Sequence, residues 1–76
     1  MGVGATYLRR IERDANRHRF YRIEIVRGLF GDWDLVREWG RIGQAGRVRI
    51  DWHATEAAAE DARFALHMAK AKRGYQ

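Results

Sequence analysis

The residue periodicity of this chain changes once, close to position 54, and that change limits the folds open to it. Before it, apolar and aromatic residues tend to recur at every second position, most strictly over residues 47–52, which is the spacing of a β-strand. After it, alanine and other apolar residues recur with the spacing of an α-helix. The 76 residues can build only one core. The sequence therefore predicts an α+β fold with one C-terminal helix packed on one side of a small antiparallel sheet.

Runs of branched and aromatic residues, separated by turn formers, predict four strands. These strands cover residues 5–13, 18–27, 33–42 and 47–52. The helix is predicted over residues 55–73, with Thr55 as its N-cap. We expect a single domain over residues 5–75, preceded by a flexible N-terminus at residues 1–4.

Strand alternation also assigns side chains to the two faces of the sheet. The side chains predicted to pack in the core are Tyr21, Ile23, Ile25, Trp33, Val48, Ile50 and Trp52. Those predicted to face solvent from the fourth strand are Arg47, Arg49 and Asp51. The stripe predicted to bring the helix against the sheet is Ala58, Ala62, Ala65, Leu66 and Ala69. The other face of the sheet is expected to remain uncovered.

The charge balance favours a polyanionic partner. Fifteen Lys and Arg residues oppose ten Asp and Glu residues, which gives a net charge of +5. Nearly all of these cations are arginine, the residue that best forms planar, bidentate contacts with phosphate. A GC-rich genome would produce the same arginine bias, so composition alone supports nucleic-acid binding only weakly.

Several residue types needed for chemistry are missing from the sequence. There is no cysteine, which excludes disulfides and thiolate metal sites, and there is no serine nucleophile. The three histidines lack the spacing of metal ligands. We therefore expect no enzyme activity, no cofactor and no metal. No apolar run approaches a membrane span and no export signal is recognisable, so a cytoplasmic protein without a membrane partner is expected.

The most distinctive local feature is the run Trp39-Gly40-Arg41 at the end of the third predicted strand. Alternation places Arg37, Trp39 and Arg41 on one face, within about 13 Å of each other. An aromatic ring flanked by two guanidinium groups suits a sugar or base between two phosphates. The glycine lets another backbone approach closely. Alternatively, Trp39 belongs to the core and both arginines reach past it to the rim.

Three stretches in order, 18–23, 39–43 and 70–75, make the chain resemble the WGR domain family. They read His-Arg-Phe-Tyr-Arg-Ile, Trp-Gly-Arg-Ile-Gly and Lys-Ala-Lys-Arg-Gly-Tyr. The family is named for its Trp-Gly-Arg signature and occurs beside the catalytic domain of DNA-dependent poly(ADP-ribose) polymerases and in short stand-alone bacterial proteins. The resemblance implies a small antiparallel sheet carrying one helix, together with binding to DNA near strand breaks.

The resemblance also implies roles for individual residues. Trp39 would pack against the sugar of a terminal nucleotide, Arg41 would bridge to a neighbouring domain or face a phosphate, and Lys70 would contact the nucleic-acid backbone. This chain lacks the catalytic domain and zinc fingers that Arg41 would otherwise contact. Its partner is therefore not fixed by the resemblance.

Two functions follow from these observations. The first is a sequence-nonspecific module that binds DNA, or RNA, with a preference for strand ends or nicks. Its predicted contact residues are Arg37, Trp39, Gly40, Arg41, Arg47, Lys70 and Lys72. The second is a protein-interaction module that docks an acidic partner through the same surface, with Arg41 at its centre. The sequence leaves the oligomeric state open.

Overall fold

A computed structural model describes residues 5–76. Its elements are β1 (Ala5–Glu12), β2 (Arg17–Arg27), β3 (Trp33–Arg41), β4 (Arg47–His53) and α1 (Glu56–Lys72). The strands form one antiparallel sheet in the order β1-β2-β3-β4, with α1 packed against it. This confirms the predicted α+β fold, and each element ends within one residue of its predicted bound. The predicted flexible N-terminus lies outside the described residues.

The core lies between α1 and one face of the sheet, which we call the helix face; the other is the open face. The buried core residues are Leu8, Tyr21, Ile23, Ile25, Leu35 and Ala59. Trp33, Trp39, Ala62, Leu66 and Tyr75 pack against them. The predictions for Tyr21, Ile23, Ile25 and Trp33 are therefore confirmed. Because the buried helix residue is a small alanine, the strands supply most of the apolar surface of this core.

Both ends of α1 are held by hydrogen bonds. The predicted N-cap is confirmed, since the Thr55 hydroxyl accepts from the backbone N–H of Ala58. After the last turn, Gly74 adopts a φ of +94° and lets the chain cross to β1. There Gln76 and Arg9 exchange two backbone hydrogen bonds of 2.8 Å. Within residues 5–76 no helix has the length and apolar character needed to cross a membrane.

The predicted packing stripe of α1 is only partly correct. Ala62 and Leu66 do lie against the sheet, but Ala58, Ala65 and Ala69 are exposed and Ala59 is the buried position. Because alanines occupy so much of the helix, several of its faces have similar hydrophobicity, and the sequence does not show which of them is buried. In the structure the face centred on Ala59 packs against the sheet.

The prediction for the two faces of β4 is wrong. Val48, Ile50 and Trp52 lie on the open face and are exposed. Arg47, Arg49 and Asp51 lie on the helix face instead. Trp52 therefore does not take part in core packing.

The cause of this inversion is the register between β3 and β4. Trp39 pairs with Arg47, so the side chains of these two residues share the helix face. The same register brings Asp51 Oδ2 to 2.9 Å from Arg37 Nη2. Period-two alternation shows which residues share a face, but it does not show which face meets the helix. As an edge strand reached only partly by α1, β4 can carry arginines on that side.

Candidate nucleic-acid interface

A cleft of about 400 Å³ lies where β3 ends and the chain turns into β4. We call it the basic cleft, and it is lined by Arg19, Trp39, Gly40, Ala45, Gly46 and Arg47. Three predicted contact residues, Trp39, Gly40 and Arg47, therefore lie together in one concave surface.

The two glycines of the basic cleft allow the turn to lie directly on the sheet. A Cβ atom on Gly46 would lie 2.5 Å from the carbonyl oxygen of Trp39 and 2.8 Å from the ring of Phe20. A Cβ atom on Gly40 would lie 3.0 Å from the Cα of Gly46. Phe20 is buried beneath this contact on the open face, where it stacks on Tyr7. Gly40 therefore has a structural role in forming the cleft.

Trp39 packs against the core and also lines the basic cleft. Its ring stacks on Tyr21, with centroids 5.9 Å apart and planes inclined by 18°. Tyr75 meets Tyr21 edge-on at 6.3 Å, which completes an aromatic cluster beside the C-terminus of α1. Trp39 is half-buried in this position. Its indole is thus held rigidly while part of it remains accessible.

Lys70 lies over the same aromatic cluster. Its Nζ is 4.4 Å from the ring centroid of Tyr21 and 5.5 Å from that of Tyr75. Burial lowers the pKa of Lys70, and the charges of Arg73 and Arg37 lower it further. Within residues 5–76, Lys70 makes no ion pair, so no carboxylate there neutralises its positive charge in this way.

Arginines extend the positive surface beyond Trp39. Arg19 and Arg41 are cross-strand partners, and together with Arg17 they line a smaller cleft of about 210 Å³. Like charges that face each other across strands are destabilising. Arg19, Arg41 and Arg47 are exposed, and none has an ion-pair partner in the described part of the chain. A bound polyanion would relieve their mutual repulsion.

Two of the predicted contact residues are placed less directly. Arg37 shares the helix face with Trp39, but its side chain is 15% exposed, is paired with Asp51 and lies 3.4 Å from the hydroxyl of Tyr21. It therefore meets the aromatic cluster at the hydroxyl of Tyr21. Lys72 is exposed near the end of α1 and does not line the basic cleft.

The structure adds Arg19, Tyr21 and Tyr75 to the residues around Trp39. Arg19 was detectable in principle, because the hairpin register places it opposite Arg41. Tyr75 depends on the crossing from α1 to β1, which sequence spacing does not reveal. Among residues 5–76, no cluster of three His, Cys, Asp or Glu side chains could hold a metal ion.

A helix-backed antiparallel sheet that presents a half-buried indole among unpaired cations has the architecture of a small binding module. The WGR domain family model matches residues 4–76, and the chain therefore belongs to the WGR domain family. It is also similar to a protein of Sinorhizobium fredii (strain NBRC 101917 / NGR234) described as "Uncharacterized protein y4dW", with 37% identity over 70 residues. That match covers 92% of this chain but 34% of the relative, so the chain spans about a third of the relative's length. No solved structure matches.

Proposed function

We propose that this chain is a non-catalytic nucleic-acid-binding module that holds DNA in the basic cleft and prefers strand ends or nicks. The observation that carries the proposal is a set of three cations without ion-pair partners in residues 5–76. Arg19 and Arg47 line the basic cleft with the half-buried ring of Trp39, and Arg41 is the cross-strand partner of Arg19. Guanidinium groups bind phosphate oxygens in bidentate fashion, and an aromatic face packs on a sugar or base. Membership of the WGR domain family supports the same conclusion.

The number of available cations sets the expected salt dependence. Arg19, Arg41, Arg47 and Lys70 are the cations best placed to neutralise phosphates. Four neutralised phosphates give a slope of log K against log salt of about −3 to −4 on duplex DNA. Contacts with phosphates carry no direct sequence information, so we expect the affinity to vary little with DNA sequence.

The position of Trp39 supports a preference for ends. Its indole stacks on Tyr21 and is half-buried, so it is not free to insert between two stacked base pairs. A terminal nucleotide, by contrast, exposes a sugar and a base face that the accessible part of the ring can cover. Interior base pairs are stacked on both sides, so they offer the cleft phosphates, sugars and groove edges but no free base face. Binding at a strand end would therefore exceed binding at interior base pairs by the contribution of packing on Trp39.

The experiment that tests the proposal is a fluorescence-anisotropy titration with a short blunt-ended DNA duplex across a salt series. Closed circular DNA and a single-stranded RNA serve as competitors. We expect binding with the slope given above, weak competition by circles, and similar affinities for unrelated duplex sequences. Equal competition by circles would remove the end preference, whereas stronger competition by RNA would make RNA the ligand.

A matched pair of variants separates the cleft from general charge. Arg41→Gln removes one cation beside the basic cleft, and Arg9→Gln removes one from the exposed open face of β1. We expect Arg41→Gln to weaken binding about fivefold to tenfold and to reduce the salt slope by about 1, with a smaller effect of Arg9→Gln. If DNA does not bind at low salt, the proposal fails, and docking of an acidic protein through Arg41 becomes the function to test.

A further inference from the structure

A separate cleft, of about 360 Å³, lies on the open face at the opposite end of the sheet from Trp39. We call it the apolar cleft, and it is lined by Leu29, Phe30, Asp32, Asp34 and Trp52. Leu29 and Phe30 are 97% and 95% exposed, and Trp52 is 77% exposed. Three large apolar side chains thus surround two carboxyl groups without taking part in the core.

The turn between β2 and β3 is built to present these side chains. The backbone N–H of Gly28 donates to the carbonyl oxygen of Asp32 at 2.8 Å, and Gly31 adopts a φ of +80°. The carboxylate of Asp32 folds over Gly28, occupying the space that a Cβ atom there would need. Leu29 and Phe30 therefore stand at the tip of a closed turn and have no route into the core.

The two carboxyl groups lack cationic partners. The Oδ1 atoms of Asp32 and Asp34 are shielded from solvent, and no N–H group of residues 5–76 donates to either atom. Neither residue forms an ion pair in that part of the chain. Their mutual hydrogen bond raises the pKa of Asp34 and lowers that of Asp32, as expected when two carboxyl groups share a proton. A cation from outside the chain could take the place of that proton.

The charge of the apolar cleft is opposite to that of the chain as a whole. The arginines of the strands lie mostly on the helix face, namely Arg10, Arg17, Arg19, Arg27, Arg37, Arg41, Arg47 and Arg49. The open face carries Glu24, Asp34 and Glu38 against Arg9 and Arg22. An incoming cation is therefore directed away from the helix face and towards the carboxyl groups beside Trp52.

We propose that the apolar cleft binds an Arg or Lys side chain that a partner protein presents among apolar residues. The rings of Trp52 and Phe30 offer cation–π surfaces, Asp32 and Asp34 offer charge, and Leu29 offers apolar contact to the flanking residues. A second copy of this chain is a less suitable occupant, because each copy carries a net charge of +5. This proposal does not depend on the function of the basic cleft.

The experiment uses a fluorescein-labelled peptide, Ser-Leu-Arg-Leu-Arg-Leu-Ser, and a matched peptide with glutamate in place of both arginines. We expect the arginine peptide to bind the wild-type chain and the glutamate peptide not to bind. Trp52→Thr and the double variant Asp32→Asn with Asp34→Asn should each weaken binding about tenfold. Phe30→Ser, at the exposed turn tip, provides a further variant that leaves the sheet unchanged.

The control is Phe64→Ala, which removes an aromatic ring of comparable exposure from α1, outside the cleft. It should bind the arginine peptide as the wild type does, and all variants should retain the wild-type circular dichroism spectrum. Three results would overturn the proposal. These are no binding of the arginine peptide at millimolar concentration, equal binding by Trp52→Thr, or self-association of the wild type that Trp52→Thr abolishes in sedimentation velocity.

Discussion

Trp39 and Trp52 lie on opposite faces and near opposite ends of the same sheet, and their surroundings are electrostatic opposites. Trp39 is stacked on Tyr21 and surrounded by arginines, whereas Trp52 is largely exposed beside Asp34, its cross-strand neighbour. The difference comes from α1, which covers the helix face only. The indole of Trp39, on the helix face, packs against the core. The indole of Trp52, on the open face, lies outside the described core.

Each cleft also concentrates charge of one sign. The pKa of Lys70, beside Trp39, is lowered by burial and by Arg73 and Arg37. The pKa of Asp34, beside Trp52, is raised by its hydrogen bond to Asp32, by desolvation and by the charge of Asp32. In both places a neighbouring charge of the same sign contributes to the shift of the pKa, so a ligand of opposite sign would be stabilised there. The basic cleft therefore favours an anion, and the apolar cleft favours a cation.

The largest contrast is expected when each tryptophan is truncated. Trp39→Ala should lower the free energy of unfolding by about 2–3 kcal/mol, because it removes half-buried apolar surface and the stacking on Tyr21. Trp52→Ala should change it by less than about 0.5 kcal/mol, because the side chain is exposed. Urea denaturation of both variants measures the difference. Equal losses would show that Trp52 has a packing role, and the comparison of the two clefts would fail.

A slightly smaller loss is expected when the wall of the basic cleft is disturbed. Gly46→Ala should destabilise the fold by about 2 kcal/mol, because the new Cβ atom would collide with the backbone of Trp39 and the ring of Phe20. Gln44→Ala, in the same turn but exposed, is the control and should be nearly neutral. If Gly46→Ala matched the control in thermal denaturation, the turn would have to be able to shift away from the sheet.

The next largest change in stability is expected from the ion pair between Arg37 and Asp51. Asp51→Asn should cost about 1–1.5 kcal/mol, because Arg37 is 15% exposed and would lose its charged partner. Arg49→Gln removes the other cation that contacts Asp51, but Arg49 is 65% exposed, so its loss should cost less than about 0.5 kcal/mol. Urea denaturation of both variants at low and high salt measures these losses, because salt screens the exposed Arg49–Asp51 pair more than the less exposed Arg37–Asp51 pair. If both variants lost a similar free energy of unfolding, the pairing of Arg37 with Asp51 would contribute no more than an exposed ion pair.

The sequence was sufficient for the fold because its signals were local. The period of the strands, the turn formers and Thr55 as N-cap each act over a few residues, and all were confirmed. The basic cleft was only partly predictable. Trp39, Gly40 and Arg47 were identified and do lie together, whereas Arg19 depends on cross-strand register and Tyr75 on the path after α1.

The error at β4 shows where local reasoning stops. The alternation of Val48, Ile50 and Trp52 with charged residues predicts that the apolar side faces the core, which is the usual arrangement. In this strand the Arg37–Asp51 pair and the register from Trp39 place the charged side on the helix face, where α1 reaches β4 only partly. A long-range ion pair of this kind is not visible in a periodic pattern. The apolar cleft could not be predicted for the same reason, because the alternation predicts Trp52 in the core.

The smallest effect is expected from the carboxyl pair of the apolar cleft, and it depends on pH. The pKa of Asp34 is raised in the folded state, so its contribution to stability is present below the ordinary pKa of about 3.9 and is lost as pH rises through the raised value. Asp34→Asn has no carboxyl group to ionise, so it avoids the loss of stability that the wild type undergoes as the pH rises. It also supplies an amide that can donate a hydrogen bond to Asp32. The variant should therefore melt at a higher temperature than the wild type at about pH 7, with the difference shrinking as the pH is lowered towards the raised pKa. Asp14→Asn, in the exposed turn after β1, is the control for the removal of one carboxylate outside the cleft. A variant that melted below the wild type at neutral pH would mean that the two carboxyl groups already have a cationic partner, and the cleft would then have no need of one from outside.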